Sequence, residues 1–322
     1  MKQIVFVAGT AFCGSSLLNI LLDTQTPAIR GLGERSQTDG EGGGPCILCN
    51  KFINECQLYS HWDGKNFYDF NFQHYGCNTL VDSSKRTNVL LRAMAEEPQF
   101  KYHVLHMSKT PHAAAYSILK HWQHDTWDVP QDGKNRDLPA ALEVWRATNA
   151  LYVEETGKAG VTAVKHVHYD TLVADPAAVV AEICQWIGEP FHPAQLEQWR
   201  APTTHILGGN PAILMQVLGQ DIMPADYLGG KYAARSGQIF VDEAWKRDKP
   251  FLKGCIAAYR QQAEKLDWTL AALGYGDTRR MIGECRKCLR AINARARAEA
   301  FSSSLAKIGK FFGLCKPDRF SM

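Results

Sequence analysis

No stretch of about 18 uncharged apolar residues occurs in this chain of 322, so nothing in it has the makings of a membrane-spanning helix. The apolar run nearest the amino end, residues 4–8, is too short for a signal-peptide core. A cytoplasmic protein without a membrane anchor is therefore expected. Without secretion, the ten cysteines are not a disulfide framework. No internal repeat is visible, and charge of neither sign dominates, the formal net charge being +3. That balance hides an asymmetry: residues 279–322 carry 11 Lys and Arg against 3 Asp and Glu, leaving 25 against 30 before them. The basic tail reads as a solvated helix with a frayed end, the alternative being weak attraction to an anionic membrane surface or a partner.

One further absence is local. Ile4 to Ala8 form an unbroken apolar, β-branched run, which suits a strand covered on both faces. Gly9 and Gly14 bracket a tight turn, Ser15 and Ser16 follow, and Leu17, Leu18, Ile20, Leu21 and Leu22 make a buried helix. A strand, a tight turn and the bare amides of a helix start form a ready anion cradle. The spacing nearly matches the Walker A loop, but Ser15 stands where that loop has its phosphate-binding lysine. A nucleotide triphosphatase is thereby disfavoured, and a less charged phosphate is the expected guest. The bland alternative is a turn that only packs a helix onto a sheet.

At 322 residues and 45% hydrophobic, the chain can bury one large α/β core. Further strands are expected near 79–82, 102–108 and 161–169, with helices starting near Arg86, Pro111 and Leu138. Asp175 and Pro176 look like an N-cap and first helical residue, and Gly188 ends that helix. The alternation implies a central, mostly parallel sheet flanked by helices in a single P-loop-like domain. Residues 31–45 read as a glycine-rich active-site loop, 46–78 as irregular and aromatic, and 190–247 as a loop-rich lid. One long helix is expected over 251–273. The α/β domain is taken as 1–278 and the basic helical extension as 279–322.

Cys46-x-x-Cys49 and Cys285-x-x-Cys288 have metal-ligand spacing, with Cys56 close to the first pair. Because the pairs lie far apart in dissimilar sequence, the thiols are expected to be buried and reduced, with no metal.

A second stretch adds to the first loop. Val81-Asp82-Ser83-Ser84-Lys85 is followed by His106-Met107-Ser108-Lys109-Thr110-Pro111-His112-Ala113-Ala114-Ala115-Tyr116-Ser117. With Thr10-Ala11-Phe12-Cys13-Gly14-Ser15-Ser16-Leu17-Leu18, these resemble the blocks of sulfotransferases that use 3′-phosphoadenosine 5′-phosphosulfate. The likeness is greatest to the bacterial branch related to the carbohydrate and tyrosylprotein enzymes. Weaker echoes at 168–176, 205–211 and 241–248 carry the resemblance to about residue 275. Cys46, Cys49, Cys56 and Trp62 loosely match a cysteine patch of similar bacterial relatives.

The resemblance implies an enzyme that moves a sulfonate group from that co-substrate to a hydroxyl of a carbohydrate or small molecule, with no metal required and no nucleic-acid partner. Ala11, Phe12, Cys13, Gly14, Ser15, Ser16 and Leu17 would cradle the 5′-phosphate, and Lys85 would contact the leaving phosphate. Lys109 and Ser117 would clamp the 3′-phosphate. Glu34, in Gly-Leu-Gly-Glu-Arg, is the leading base, with His61, His74 and His112 as alternatives; His205 lies in a block that reads as structural. Two departures stand out. Phe12 replaces the loop's usual cation, and Lys109 with His112 replaces two arginines, losing the bidentate fork. They keep open a degenerate sulfotransferase fold that binds a nucleotide or partner without catalysis, and, less favoured, a P-loop kinase.

Overall fold

The computed structural model describes residues 2–24, 28–38, 46–123, 136–198, 203–209, 239 and 243–311. Its central strand is β1 (Gln3–Gly9), in a sheet of order β2-β3-β1-β4-β5. The others are β2 (Ile29–Gly33), β3 (Thr79–Lys85), β4 (Lys101–Ser108) and β5 (Ala163–His168), and all neighbours run parallel. Alternation along β1 splits the core in two. Val5 and Val7 face a cluster with Leu18 and Leu21 of α1 (Ser15–Leu22) and Ile183 of α7 (Pro176–Ile187). Ile4, Phe6 and Ala8 face the opposite cluster. There they meet α2 (Phe67–Tyr75), α3 (Thr87–Glu96) and Tyr152 of α5 (Leu138–Lys158). Each fully buried side chain of this kind contributes about 1.5–3 kcal/mol. The parallel α/β architecture is thus the expected one.

Helix starts also follow local chemistry. Asp137 and Asp175 each cap a helix by accepting the N–H three residues on, of Ala140 and Ala178, each followed by proline in the first turn. Between α3 and α5 comes α4 (Pro111–Gln123); α6 (Tyr169–Ala174) and α8 (Gln195–Gln198) complete the α-helices among the described residues of this part.

Three stretches differ from the reading of the sequence. Residues 29–33, partly assigned to a loop, form β2. Two glycines in five residues hide it from propensity, yet packing requires them: a Cβ on Gly31 would lie 2.6 Å from Asn19 Oδ1 of α1. Within 46–78, residues 67–75 are helical although rich in aromatics, because Phe67, Tyr68, Asn71 and Phe72 are buried along one side. The helix expected over 251–273 is two, α9 (Lys249–Gln261) and α10 (Ala263–Ala272), parted where Gln262 leaves helical geometry at φ −112°. No glycine or proline marks that break.

Of the expected active-site loop, 39–45 lie outside the described residues, as do 199–202, 210–238 and 240–242 of the expected lid. The chain divides into two units, Met1–Val241 and Asp242–Met322. The second contains α9, α10 and α11 (Thr278–Phe311), which is mostly exposed from Leu289 to Ser304 and carries Arg280–Glu284 and Arg295–Glu299 pairs one turn apart. Residues 312–322 of the basic tail lie outside the described residues. Among the described residues, no helix is long and apolar enough to cross a membrane.

Asp23, at the end of α1, is buried and accepts the Gly31 N–H (3.0 Å) and the Thr204 hydroxyl (2.8 Å). Burial pushes its carboxyl from 3.8 up to about 6, against those hydrogen bonds and the charge of Arg30. The folded chain therefore holds this proton to higher pH than the unfolded one. The contribution to stability is full below about 3.8 and is lost as pH rises to about 6. At roughly 1.4 kcal/mol per unit, the loss is about 3 kcal/mol. Asp23→Asn keeps a carbonyl acceptor without the charge and should abolish this slope. Urea midpoints at pH 4 and pH 7 check it; an unchanged pH dependence in the variant sinks the assignment.

Candidate functional site

Three neighbouring strands, β3, β1 and β4, end at the same edge of the sheet, each with one piece of the site. β1 runs into the loop 10–14. Phe12 adopts φ 64° there, and Gly14, at φ 95°, occupies the N-cap of α1. A glycine N-cap offers no side-chain oxygen, and no side chain of the N-cap closes the start of α1. Leu18 N–H returns to Gly14 O at 3.0 Å, and Cys13 N–H to Thr10 O at 3.3 Å. Ser15 and Ser16 are buried behind the loop. The Phe12 ring stacks on His121 of α4, centroids 4.0 Å apart and 11° from parallel. Aromatic stacking thus stands where the resemblance implies a cation.

At the end of β3 the register slips: Phe6 pairs with Asp82, but Ala8 pairs with Lys85, so β3 holds one extra residue. Asp82 builds this bulge. One of its oxygens accepts the Ser84 N–H (2.8 Å) and hydroxyl (2.5 Å), the other the Tyr68 hydroxyl (2.6 Å). Burial pushes the Asp82 carboxyl up, those hydrogen bonds and the Arg35 charge working against it. Lys85 leaves the bulge at φ 68° and its Nζ pairs with Glu34 Oε1. Glu34 is buried, its N–H held by Leu207 O at 2.8 Å. Beside it, Arg35 pairs with Glu96 and lies over the Tyr68 ring, 5.1 Å from its centroid. The Lys85 charge also reaches Cys13, whose thiol is raised by burial and lowered by that lysine.

Just past β4, Lys109 and Ser117 meet, Nζ to Oγ 3.3 Å, across two turns of α4. Trp145 Nε1 donates to Lys109 O at 2.9 Å and fixes the backbone there. The Lys109 ammonium lies 5.0 Å from the Tyr169 ring centroid. Tyr169 also packs against Gly14, where a Cβ would sit 2.4 Å from its ring, so one tyrosine braces both the loop and the lysine.

The structure therefore brings together Glu34 with Lys85 and Lys109 with Ser117, around the 11–17 loop. It does not bring the alternative histidines into one group: His61 and His74 are exposed, and His112 is fully buried in the first turn of α4. The Oγ1 atoms of Thr10 and Thr110, after β1 and β4, are buried without a protein partner among the described residues. A buried hydroxyl left so costs about 1–3 kcal/mol, which a ligand oxygen would relieve. Reading the sequence missed Tyr169, Trp145 and the role of Asp82. Tyr169 lay in the noted stretch 168–176, but nothing in a single tyrosine signals that it touches Gly14.

The fold is met elsewhere. The sulfotransferase domain from the curacin biosynthetic pathway superposes at a TM-score of 0.50, with 15% identity over 73% of this chain and 97% of that domain. This chain has the sulfotransferase fold. Two further sulfotransferases match more distantly. The domain from the Synechococcus PCC 7002 olefin synthase has a TM-score of 0.44, 17% identity, and coverage of 73% and 95%. A mouse sulfotransferase complexed with PAP has 0.41, 12%, 85% and 88%. No family model matches the sequence, and no curated protein does.

On this sulfotransferase fold, Gly14→Ala should be severe, because it forces a strained φ and drives a methyl into the Tyr169 ring. Gly160→Ala, at φ 68° with open space around it, carries strain alone. Thermal melts should show Gly14→Ala losing at least 2 kcal/mol more than Gly160→Ala. Equal losses would mean that Tyr169 does not hold the loop.

Proposed function

We propose that this chain transfers a sulfonate group from 3′-phosphoadenosine 5′-phosphosulfate to a hydroxyl of a carbohydrate or small molecule. One observation carries the reading. Three adjacent parallel strands end in an uncapped glycine-serine loop and in two lysines, each lysine held by an acidic or hydroxyl partner. Ligands of such sheets lie outside the carboxyl ends of the strands.

In this reading the amides of 11–17 hold the 5′-phosphate, with Ser15 and Ser16 adding hydroxyls. Lys109 and Ser117 grip the 3′-phosphate. Transfer is an in-line displacement, by analogy with phosphoryl transfer, so negative charge grows on the oxygen that bridges phosphate and sulfonate. Lys85 answers that charge. Its contact with Glu34 gives it a second part: as the ammonium moves to the donor, the carboxylate is released to take the proton of the acceptor hydroxyl. No step needs a metal. Localisation to the cytoplasm and weak contact of the basic tail with an anionic surface remain part of the proposal.

Phe12 favours a second reading, since stacking on His121 leaves the loop without its own cation. In that reading the fold binds the nucleotide and does not turn over. Binding of 3′-phosphoadenosine 5′-phosphate with no turnover on any acceptor hydroxyl would favour it, whereas absence of binding would sink both.

Lys109→Ala should weaken binding of 3′-phosphoadenosine 5′-phosphate by about 1.5–3 kcal/mol, the scale of a charged hydrogen bond. Adenosine 5′-phosphosulfate, which lacks the 3′-phosphate, should be hardly affected. Calorimetry with both ligands decides; an equal loss for both removes Lys109 from the 3′-phosphate.

Glu34→Gln should leave donor binding nearly intact and slow transfer by about 10²–10⁴-fold, the span of general-base catalysis. Lys85→Ala should also slow transfer. An acceptor with an already acidic hydroxyl, such as a nitrophenol, should partly rescue Glu34→Gln and not Lys85→Ala. Full activity of the Gln variant on an ordinary alcohol would show that Glu34 is not the base.

A further inference from the structure

Cys46, Cys49, Cys56 and His205 converge, each offering one ligand atom, and all four atoms lie within 4.8 Å of one another. We propose that these four side chains form a structural zinc site of the Cys₃His type. The inference stands on this geometry alone and does not rest on sulfonate transfer.

The distances fit one ion. Tetrahedral zinc with bonds of about 2.3 Å to sulfur and 2.05 Å to nitrogen sets S···N separations near 3.6 Å. His205 Nδ1 lies 3.4 Å from Cys46 Sγ and 3.3 Å from Cys56 Sγ. Hydrogen bonding cannot account for both contacts at full strength, since a neutral imidazole nitrogen has either one proton or one lone pair. A cation at the centre satisfies all four groups, each thiol giving its proton to solvent as it binds. Three thiolates and one imidazole suit zinc.

The surroundings are also those of a metal site. The turn that joins the first two ligands closes through Asn50 N–H to Cys46 O and Cys46 N–H to Lys51 O, both 2.8 Å, with Asn50 left-handed at φ 52°. His205 is held by its own backbone: its N–H donates to the Tyr75 hydroxyl (2.9 Å) and its carbonyl accepts from Tyr59 (3.0 Å).

The site would clasp two distant segments. Ile47 N–H reaches Ile206 O at 2.8 Å, and Leu207 bridges to both Cys46 and Gly33. Leu207 also holds the N–H of Glu34. Metal at the four ligands would therefore pin residues 205–207 against the end of β2.

The full chain, expressed and purified without chelator, should carry about one zinc per molecule by elemental analysis. Cobalt added to the reduced, stripped protein should give thiolate-to-metal charge transfer and the strong visible bands of a tetrahedral site. Chelation should lower Tm, and zinc but not magnesium should restore it. Cys49→Ser should weaken zinc binding more than tenfold against a chromophoric chelator, while Cys288→Ser, far along the chain in α11, should leave it unchanged. Less than a tenth of an equivalent of zinc with no cobalt spectrum would overturn the site. So would iron in its place, or equal zinc affinity of Cys49→Ser.

Discussion

The carboxyl edge of the sheet depends on one buried carboxylate. Asp82 takes three hydrogen bonds from Tyr68 and Ser84, and in doing so forces an extra residue into β3. The bulge turns Lys85 back toward the neighbouring strand end. Ser84 extends the effect, since its hydroxyl accepts the Ser36 N–H at 3.0 Å and so holds the turn that carries Glu34 and Arg35. Desolvating a carboxylate is costly, and hydrogen bonds compensate it only when all are present. The geometry of the Glu34–Lys85 pair is thus set by a residue that need not touch any substrate.

A second organising contact lies on the other side of β1. Tyr169 touches both Gly14 and the Lys109 ammonium, and Trp145 fixes the Lys109 carbonyl. The loop and the lysine clamp are therefore positioned against shared aromatic surfaces rather than independently. The replacement of fork-shaped arginines by lysine is easier to accommodate with the ammonium held over a ring and beside Ser117. The Phe12–His121 stack gives the loop shape without charge, so the proposed reading assigns the leaving oxygen to Lys85.

The two Cys-x-x-Cys pairs have identical spacing and different surroundings. Cys46 and Cys49 find Cys56 and His205. Cys285 is buried instead beside Cys255, whose thiol is raised by that contact and by burial. Spacing supplies two ligands on one turn; only long-range pairing supplies the others.

Four of the five strands and several helix starts could be read from local sequence, because a β-branched run, an Asp-Pro cap or a glycine stop each acts within a few residues. The turn between β1 and α1 was legible for the same reason, and the resemblance singled out Lys85, Lys109 and Ser117 as candidates. What the sequence could not disclose depends on residues far apart in it. β2 exists because glycines let α1 and the 205–207 segment approach it, and α2 because its aromatic face is buried. The meeting of Glu34 with Lys85 spans 51 residues, and that of Cys46 with His205 spans 159. Sequence alone determined which chemical groups the chain has to offer and the parallel α/β frame that carries them. Tertiary structure decided which of those groups meet, because contacts across such separations are fixed by the packing of whole elements and not by the neighbours of either residue.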